Sequence, residues 1–247
     1  MRRTLFIFLS CCFSLNLFAQ FTSTRELVYA MYNALKEEPL EQFTFSQKTI
    51  RYRNDGQVDT SIWYEAIQYP DKFRIDFGDP AEGNAVIYRN DSAYIFRNHE
   101  LQTNRLEPMP LLFLEGGMEF LPFEKVMPRL FELGLDTAEF RKTNWEGAEY
   151  YVIGAKEGDM EARQVWVDVE KLIPIRRLDP HPSGQVIELV YKDFKDFNGS
   201  MIETRVDIFI KGKLIQEEYY LDIDPDPKIP SGFFNPENFG KVHWKSD

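Results

Sequence analysis

Cysteine is scarce and confined to one place: among 247 residues it occurs at Cys11 and Cys12. Both fall within residues 1–19, which read as a secretory signal peptide. Arg2 and Arg3 make a basic start, residues 4–18 are apolar, and Leu17-Phe18-Ala19 offers a cleavage site before Gln20. Too few apolar residues precede Cys11 for a lipid anchor there. The expected mature chain, 20–247, then holds no thiol, which excludes cysteine catalysis and disulfides and leaves stability to a hydrophobic core. Histidine is nearly as rare. His99, His181 and His243 lie far apart, without metal-ligand spacing, and read as isolated surface residues. Positive charge is also short, with 29 Lys+Arg against 40 Asp+Glu and a net charge of −11. Such a chain is a poor partner for nucleic acid or an anionic membrane surface. No apolar run after residue 19 reaches the ~20 residues of a membrane helix without charges. Serine-elbow, zinc-helix, phosphate-loop and dinucleotide signatures are missing. Asp222, Asp224 and Asp226 alternate, but Pro227 stands where a calcium loop needs glycine. The sequence therefore offers no catalytic residue, metal site or cofactor site, and no enzyme activity is expected.

What is present is a long series of strand patterns. Ser23-Thr24-Arg25-Glu26 has capping-box form, and Leu27, Met31, Ala34 and Leu35 line one face, which predicts a helix over 24–38. Residues 42–52 and 58–69 then flank the turn signal Asn54-Asp55-Gly56. In 72–77, Phe73, Ile75 and Phe77 alternate with Arg74 and Asp76, which predicts one buried and one wet face. Two further patterns flank Asn90-Asp91, and after residue 137 seven more follow, among them 185–194 and 201–212. Turns at this spacing predict a large antiparallel sheet in a single domain over 20–247 rather than alternating α/β units.

One stretch breaks the series. Residues 108–135 carry a dense apolar set, and Phe123, Met127, Leu130 and Phe131 recur at helical spacing. Pro110, Gly116, Gly117, Pro122 and Pro128 cut it into short pieces. Broken apolar helices between strands are either an ordinary core layer or a plug that a greasy ligand displaces.

Several short matches, in order, resemble the periplasmic carriers that sort lipoproteins to the outer membrane, the LolA-like family. They are Phe45-Ser46-Gln47-Lys48, Tyr69-Pro70-Asp71-Lys72-Phe73-Arg74, Ile87-Tyr88 with Tyr94-Ile95-Phe96, Val165-Trp166-Val167-Asp168, Ile175-Arg176-Arg177 and the closing residues 223–239. The resemblance implies an α+β fold: a strongly curved antiparallel sheet, an incomplete β-barrel, whose concave face is covered by an N-terminal helix and short lid helices. It implies a periplasmic, monomeric binding protein that holds acyl chains of lipoproteins or another lipid-like ligand and meets transfer proteins at the inner and outer membranes. Trp63, Phe73, Ile75, Phe77, Ile87 and Phe96 are the expected cavity wall; Leu112, Phe113, Phe120, Phe123, Met127 and Phe131 are the expected lid. The chain departs from the carriers at one point: their lid-latching arginine, just before the proline of the third strand, is Tyr69 here. An alternative on the same fold is an envelope sensor or interaction module whose cavity is filled by its own lid.

Overall fold

The computed structural model describes residues 21–37, 39–197 and 199–245, with the backbone alone at Leu111. The expected signal peptide and its cleavage site lie outside these residues. Hairpins with tight turns build the first half of the sheet: β1 (Gln42–Tyr52), β2 (Val58–Gln68), β3 (Lys72–Phe77), β4 (Ala85–Arg89), β5 (Ser92–Arg97) and β6 (Glu100–Leu106). Asn90 and Asp91, at φ 49° and 58°, make the left-handed turn that lets β4 return directly as β5. The second half comprises β7 (Phe140–Trp145), β8 (Ala148–Ile153), β9 (Gln164–Asp168), β10 (Pro174–Pro180), β11 (Val186–Lys192), β14 (Arg205–Ile210) and β15 (Lys213–Asp224). Between β11 and β14 stand two short strands, β12 (Lys195–Phe197) and β13 (Ser200–Ile202).

All but β12 and β13 join one 13-stranded sheet, in the order β6-β5-β4-β3-β2-β1-β15-β14-β11-β10-β9-β8-β7. Each described neighbour pair is antiparallel, as the turn spacing predicts. Its two edges, β6 and β7, are consecutive in the chain. The segment between them must therefore cross from one edge of the sheet to the other. That crossing carries α2 (Pro110–Leu114), a 3₁₀ turn (Met118–Phe120) and α3 (Phe123–Glu132), the broken apolar helices expected there.

The sheet is bent into an open half-barrel. Side chains from β3 and from β10, six strand spacings apart, meet around one cavity. In a flat sheet they would stand about 29 Å apart, at ~4.8 Å per strand. Right-handed twist accumulating over this many strands supplies the curl. On the concave side, α1 (Thr24–Glu37) lies against α3 and the β8–β9 end. There Leu27, Val28, Met31, Phe113, Met118, Val126, Leu130, Tyr151, Ile153, Val165 and Val167 form the largest core cluster. The Ser23 hydroxyl caps α1 by accepting from the Glu26 amide at 3.3 Å, while the Glu26 carboxylate accepts from the Thr22 amide at 2.8 Å.

Two strand expectations are corrected. The patterns at 185–194 and 201–212 each contain a break, because Asp193 turns left-handed (φ 55°) and Thr204 ties back to it, its hydroxyl donating to the Asp193 carbonyl at 2.6 Å. Both strands leave the sheet at one level, and their ends pair with each other as β12 and β13. The wet face expected for β3 is dry. Arg74 and Asp76 are 2% and 0% exposed, because the C-terminal segment folds over the convex face and lays Phe233, Phe239 and His243 on them. The Arg74 guanidinium donates twice to Asp76 at 2.8 Å, donates to the Phe233 carbonyl at 3.2 Å, and lies against the Phe233 and Phe239 rings. His243 is thus not a free surface histidine: its Nε2 lies 3.1 Å from Asp76.

Candidate functional site

Between the lid and the β1–β3 side of the concave face lies a cavity of about 170 Å³. Period-two alternation sends Phe43 and Phe45 of β1, Ile67 of β2, and Phe73 and Ile75 of β3 to the same face. Tyr220 of β15, Leu189 of β11 and Ile208 of β14 join them, and Met109 of the crossing segment meets them from above. A second pocket, about 80 Å³, abuts it under α1 and shares Glu115, Met201 and Glu203. A wider cleft of about 770 Å³ opens on the convex side, lined by Tyr64, Asp79, His99, Lys241 and His243. That cleft is an open surface groove rimmed by charged groups, and it lies on the far side of the sheet from the lid.

Tyr69 fastens the lid. Its hydroxyl donates to the Glu115 carbonyl at 3.3 Å, and its ring stacks on Phe120 at 6.2 Å. Gly116 sits flat on that ring, where a Cβ would lie 2.7 Å from Cζ, so a glycine is needed for the approach. Tyr69 thus contacts the lid through an aromatic ring and one neutral hydrogen bond.

The cavity is not wholly apolar. Gln47, Glu65, Glu218, Arg177, Glu115 and Glu203 also line it. Burial pushes the Glu65 carboxyl well above its ordinary range, and the nearby Glu218 and Asp76 add to the effect. Burial likewise raises Glu218 to about 7 against the opposing contacts of Gln216, Arg51 and Gln47; the accessible surface Glu218 retains faces the cavity. Glu115 is raised to about 7 by burial, opposed by Arg177, and Glu203 is raised well above its usual value by burial and by Glu115. Glu119, in the lid, is raised to about 7 by burial. Burial works against the charge on Arg177, but Tyr191, Asp179 and Glu115 outweigh it. Burial therefore favours the protonated form of each of these carboxyls.

Of the expected wall, Phe73 and Ile75 line the cavity. Trp63 and Phe77 share their face but pack edge to face with each other at 4.8 Å, beyond its end. Ile87 and Phe96 are corrected to the convex side. Ile87 pairs with Arg74, and Phe96 stacks on Phe239 at 4.0 Å; the β3–β4 register gives them opposite parity to Phe73. Of the expected lid, Leu112 and Phe120 cover the aromatic cluster around the cavity, while Phe113 and Met127 join the α1 core. Phe123 packs on Tyr29 and Tyr32 of α1. Phe131 is corrected to the outside, 71% exposed on the far side of α3. The polar lining was missed. Glu65 shares parity with Trp63 and Ile67, which would have placed it inward, whereas Glu115 and Glu203 lie outside regular strands, where parity carries no signal.

Among the described residues no helix is long and apolar enough to cross a membrane, and no group of three or more His, Cys, Asp or Glu side chains could hold a metal ion. No protein-family model matches the chain, and no curated protein matches it in sequence. The fold is an open antiparallel half-barrel with helices and a cavity on its concave face. Three solved structures share it at full probability. A LolA superfamily protein from Nitrosomonas europaea is 14% identical, with a TM-score of 0.55, over 84% of this chain and 96% of that one. A putative outer membrane lipoprotein-sorting protein domain from Vibrio parahaemolyticus is 11% identical, with a TM-score of 0.59, over 87% and 97%. A DUF1329 family protein from Desulfovibrio piger is 13% identical, with a TM-score of 0.58, over 87% and 97%. The chain has the LolA-type fold.

Proposed function

We propose that this chain is a periplasmic binding protein, not an enzyme, that holds lipid acyl chains between its curved sheet and its lid and escorts lipoproteins to the outer membrane. Residues 20–247 act as one half-barrel unit after removal of residues 1–19. The observation that carries the reading is the aromatic cavity beneath a lid fastened at Tyr69. The likeness in fold to the lipoprotein-sorting domain supports the same role. Energetics agree, since each acyl CH₂ taken from water contributes ~0.8 kcal/mol. The free volume of about 170 Å³ holds roughly six groups of methylene size, at ~30 Å³ each. A longer tail therefore enters only as Leu112, Phe120 and Met109 move out. A fluorescent fatty acid titrated into the protein tests this. Binding is expected in wild type and at least tenfold weaker in Ile75→Trp, which fills the cavity. No saturable binding to a folded wild-type protein overturns the reading.

The small free volume favours a second reading, a sensor or interaction module whose cavity stays filled by its own lid. Native mass spectrometry of protein taken from the cell envelope separates the two. A co-purifying acylated molecule supports the carrier, and a ligand-free protein that never exchanges the probe supports the module.

A further inference from the structure

The cavity's charge inventory does not suit a plain hydrocarbon guest. Glu65 and Arg177 are 2% and 8% exposed, yet Glu65 Oε1 and Arg177 Nη1 have no hydrogen-bond partner. Four carboxyl groups, Glu65, Glu115, Glu203 and Glu218, face one guanidinium. That guanidinium is ion-paired with Asp179, 2.6 Å from its Nε, although neither Nε nor Nη1 makes a hydrogen bond. A carboxylate or phosphate headgroup would find one cationic partner in this lining, Arg177, which Asp179 already neutralises. A cation would meet the unpaired Oε1 atoms of Glu65 and Glu115. The geometry supplies a place for one: Glu65 stands opposite Phe45 across the β1–β2 pair, Glu218 stands opposite Thr49 across the β1–β15 pair, and Gln47 lies between them. Beside them the rings of Phe45 and Tyr220 lie 4.3 Å apart, and aromatic faces attract cations.

We propose that the cavity selects an amphiphile whose head is an amine without phosphate, its chain along Phe43, Phe45 and Phe73 and its ammonium between Glu65 and Glu218. The inference rests on the cavity being a ligand site, as argued above. The groups facing this point are Gln47 and Arg51 of β1, Gln216 and Tyr220 of β15, and Arg177, Glu115 and Glu203 across the cavity, with Asp76 of β3 acting on Glu65 from the convex side of the sheet. Because burial keeps the carboxyls protonated, an arriving ammonium makes one of them release its proton to solvent. Binding at pH 6 therefore liberates close to one proton per ligand, and affinity rises with pH through about 7.

The test is calorimetric titration of dodecylamine, dodecanol and dodecanoate, below their micelle concentrations, in two buffers of different ionisation enthalpy. Dodecylamine is expected to bind at least tenfold tighter than the other two at pH 7.5, and to release a proton at pH 6. In a Glu65→Gln/Glu218→Gln variant whose circular dichroism matches wild type, the amine-to-alcohol ratio is expected to fall to near one. The wild-type series stands without the variant. Equal affinities, or dodecanoate the tightest, overturn the inference and leave the apolar carrier reading intact. Binding of none of the three overturns both.

Discussion

Replacing Glu218 by Gln isolates one buried acid whose folded-state behaviour has a definite sign. In the native chain its carboxyl titrates near 7, against 4.5 when exposed, because the concave face removes it from water. Between those values the folded state holds a proton that the unfolded state has released, so stability falls as pH rises. The contribution is fully present below pH 4.5 and is lost as pH passes 7. At 1.36 kcal/mol per unit, the loss is on the order of 3 kcal/mol. Glu115 and Glu119, also raised to about 7, push in the same direction, as do Glu65 and Glu203. Urea unfolding, followed by tryptophan fluorescence at pH 5.5 and 8.5, reads the effect. Wild type is expected to lose several kcal/mol between the two. Gln has the shape of the protonated acid and cannot ionise, so Glu218→Gln is expected to stabilise by about 1 kcal/mol at pH 5.5 and by about 3 kcal/mol at pH 8.5. A variant whose stability falls with pH as steeply as wild type refutes the assignment of that loss to this cavity.

Removing the Tyr69 hydroxyl (Tyr69→Phe) leaves the Glu115 carbonyl without its donor and is expected to cost about 1 kcal/mol. The readout is hydrogen exchange, about fivefold faster at the amides of residues 110–121 and unchanged in β8 and β9. Met118→Ala, at a fully buried lid position in the α1 core, is expected to cost about 2–5 kcal/mol in urea unfolding. Arg74→Ala strands a buried Asp76 charge and is expected to cost about 3–5 kcal/mol, whereas a joint Arg74→Met/Asp76→Leu replacement recovers most of that. Phe131→Glu, on the outer side of α3, is expected to shift stability by no more than about 0.5 kcal/mol.

Local pattern carried much of this architecture. The bounds of β1 and β3, the capped helix and the Asn90-Asp91 hairpin follow from alternation, capping chemistry and left-handed turn residues, each a property of a few neighbouring positions. The broken lid was legible for the same reason, since proline and glycine act where they stand. What alternation cannot reveal is which remote segment covers a face. Arg74 and Asp76 read as solvent-facing because nothing within β3 announces that Phe233 and Phe239 will cover them from the C-terminal end. The same ignorance placed Ile87 and Phe96 on the wrong side, because parity fixes which residues share a face but not which way that face points. Phe131 looked like lid because its spacing matches Phe123 and Met127, yet the apolar stripe of α3 is narrower than the pattern suggests.

The crossing segment is moored at both rims of the half-barrel, to β6 on one side and β7 on the other. It therefore behaves as a bridle and not as a door: no single hinge frees it, and any guest that forces the rims apart also pulls it taut across the mouth. On the carrier reading, loading and curvature would become one mechanical variable, and a cut anywhere between residues 107 and 139 would uncouple them while leaving every strand of the sheet with its partners.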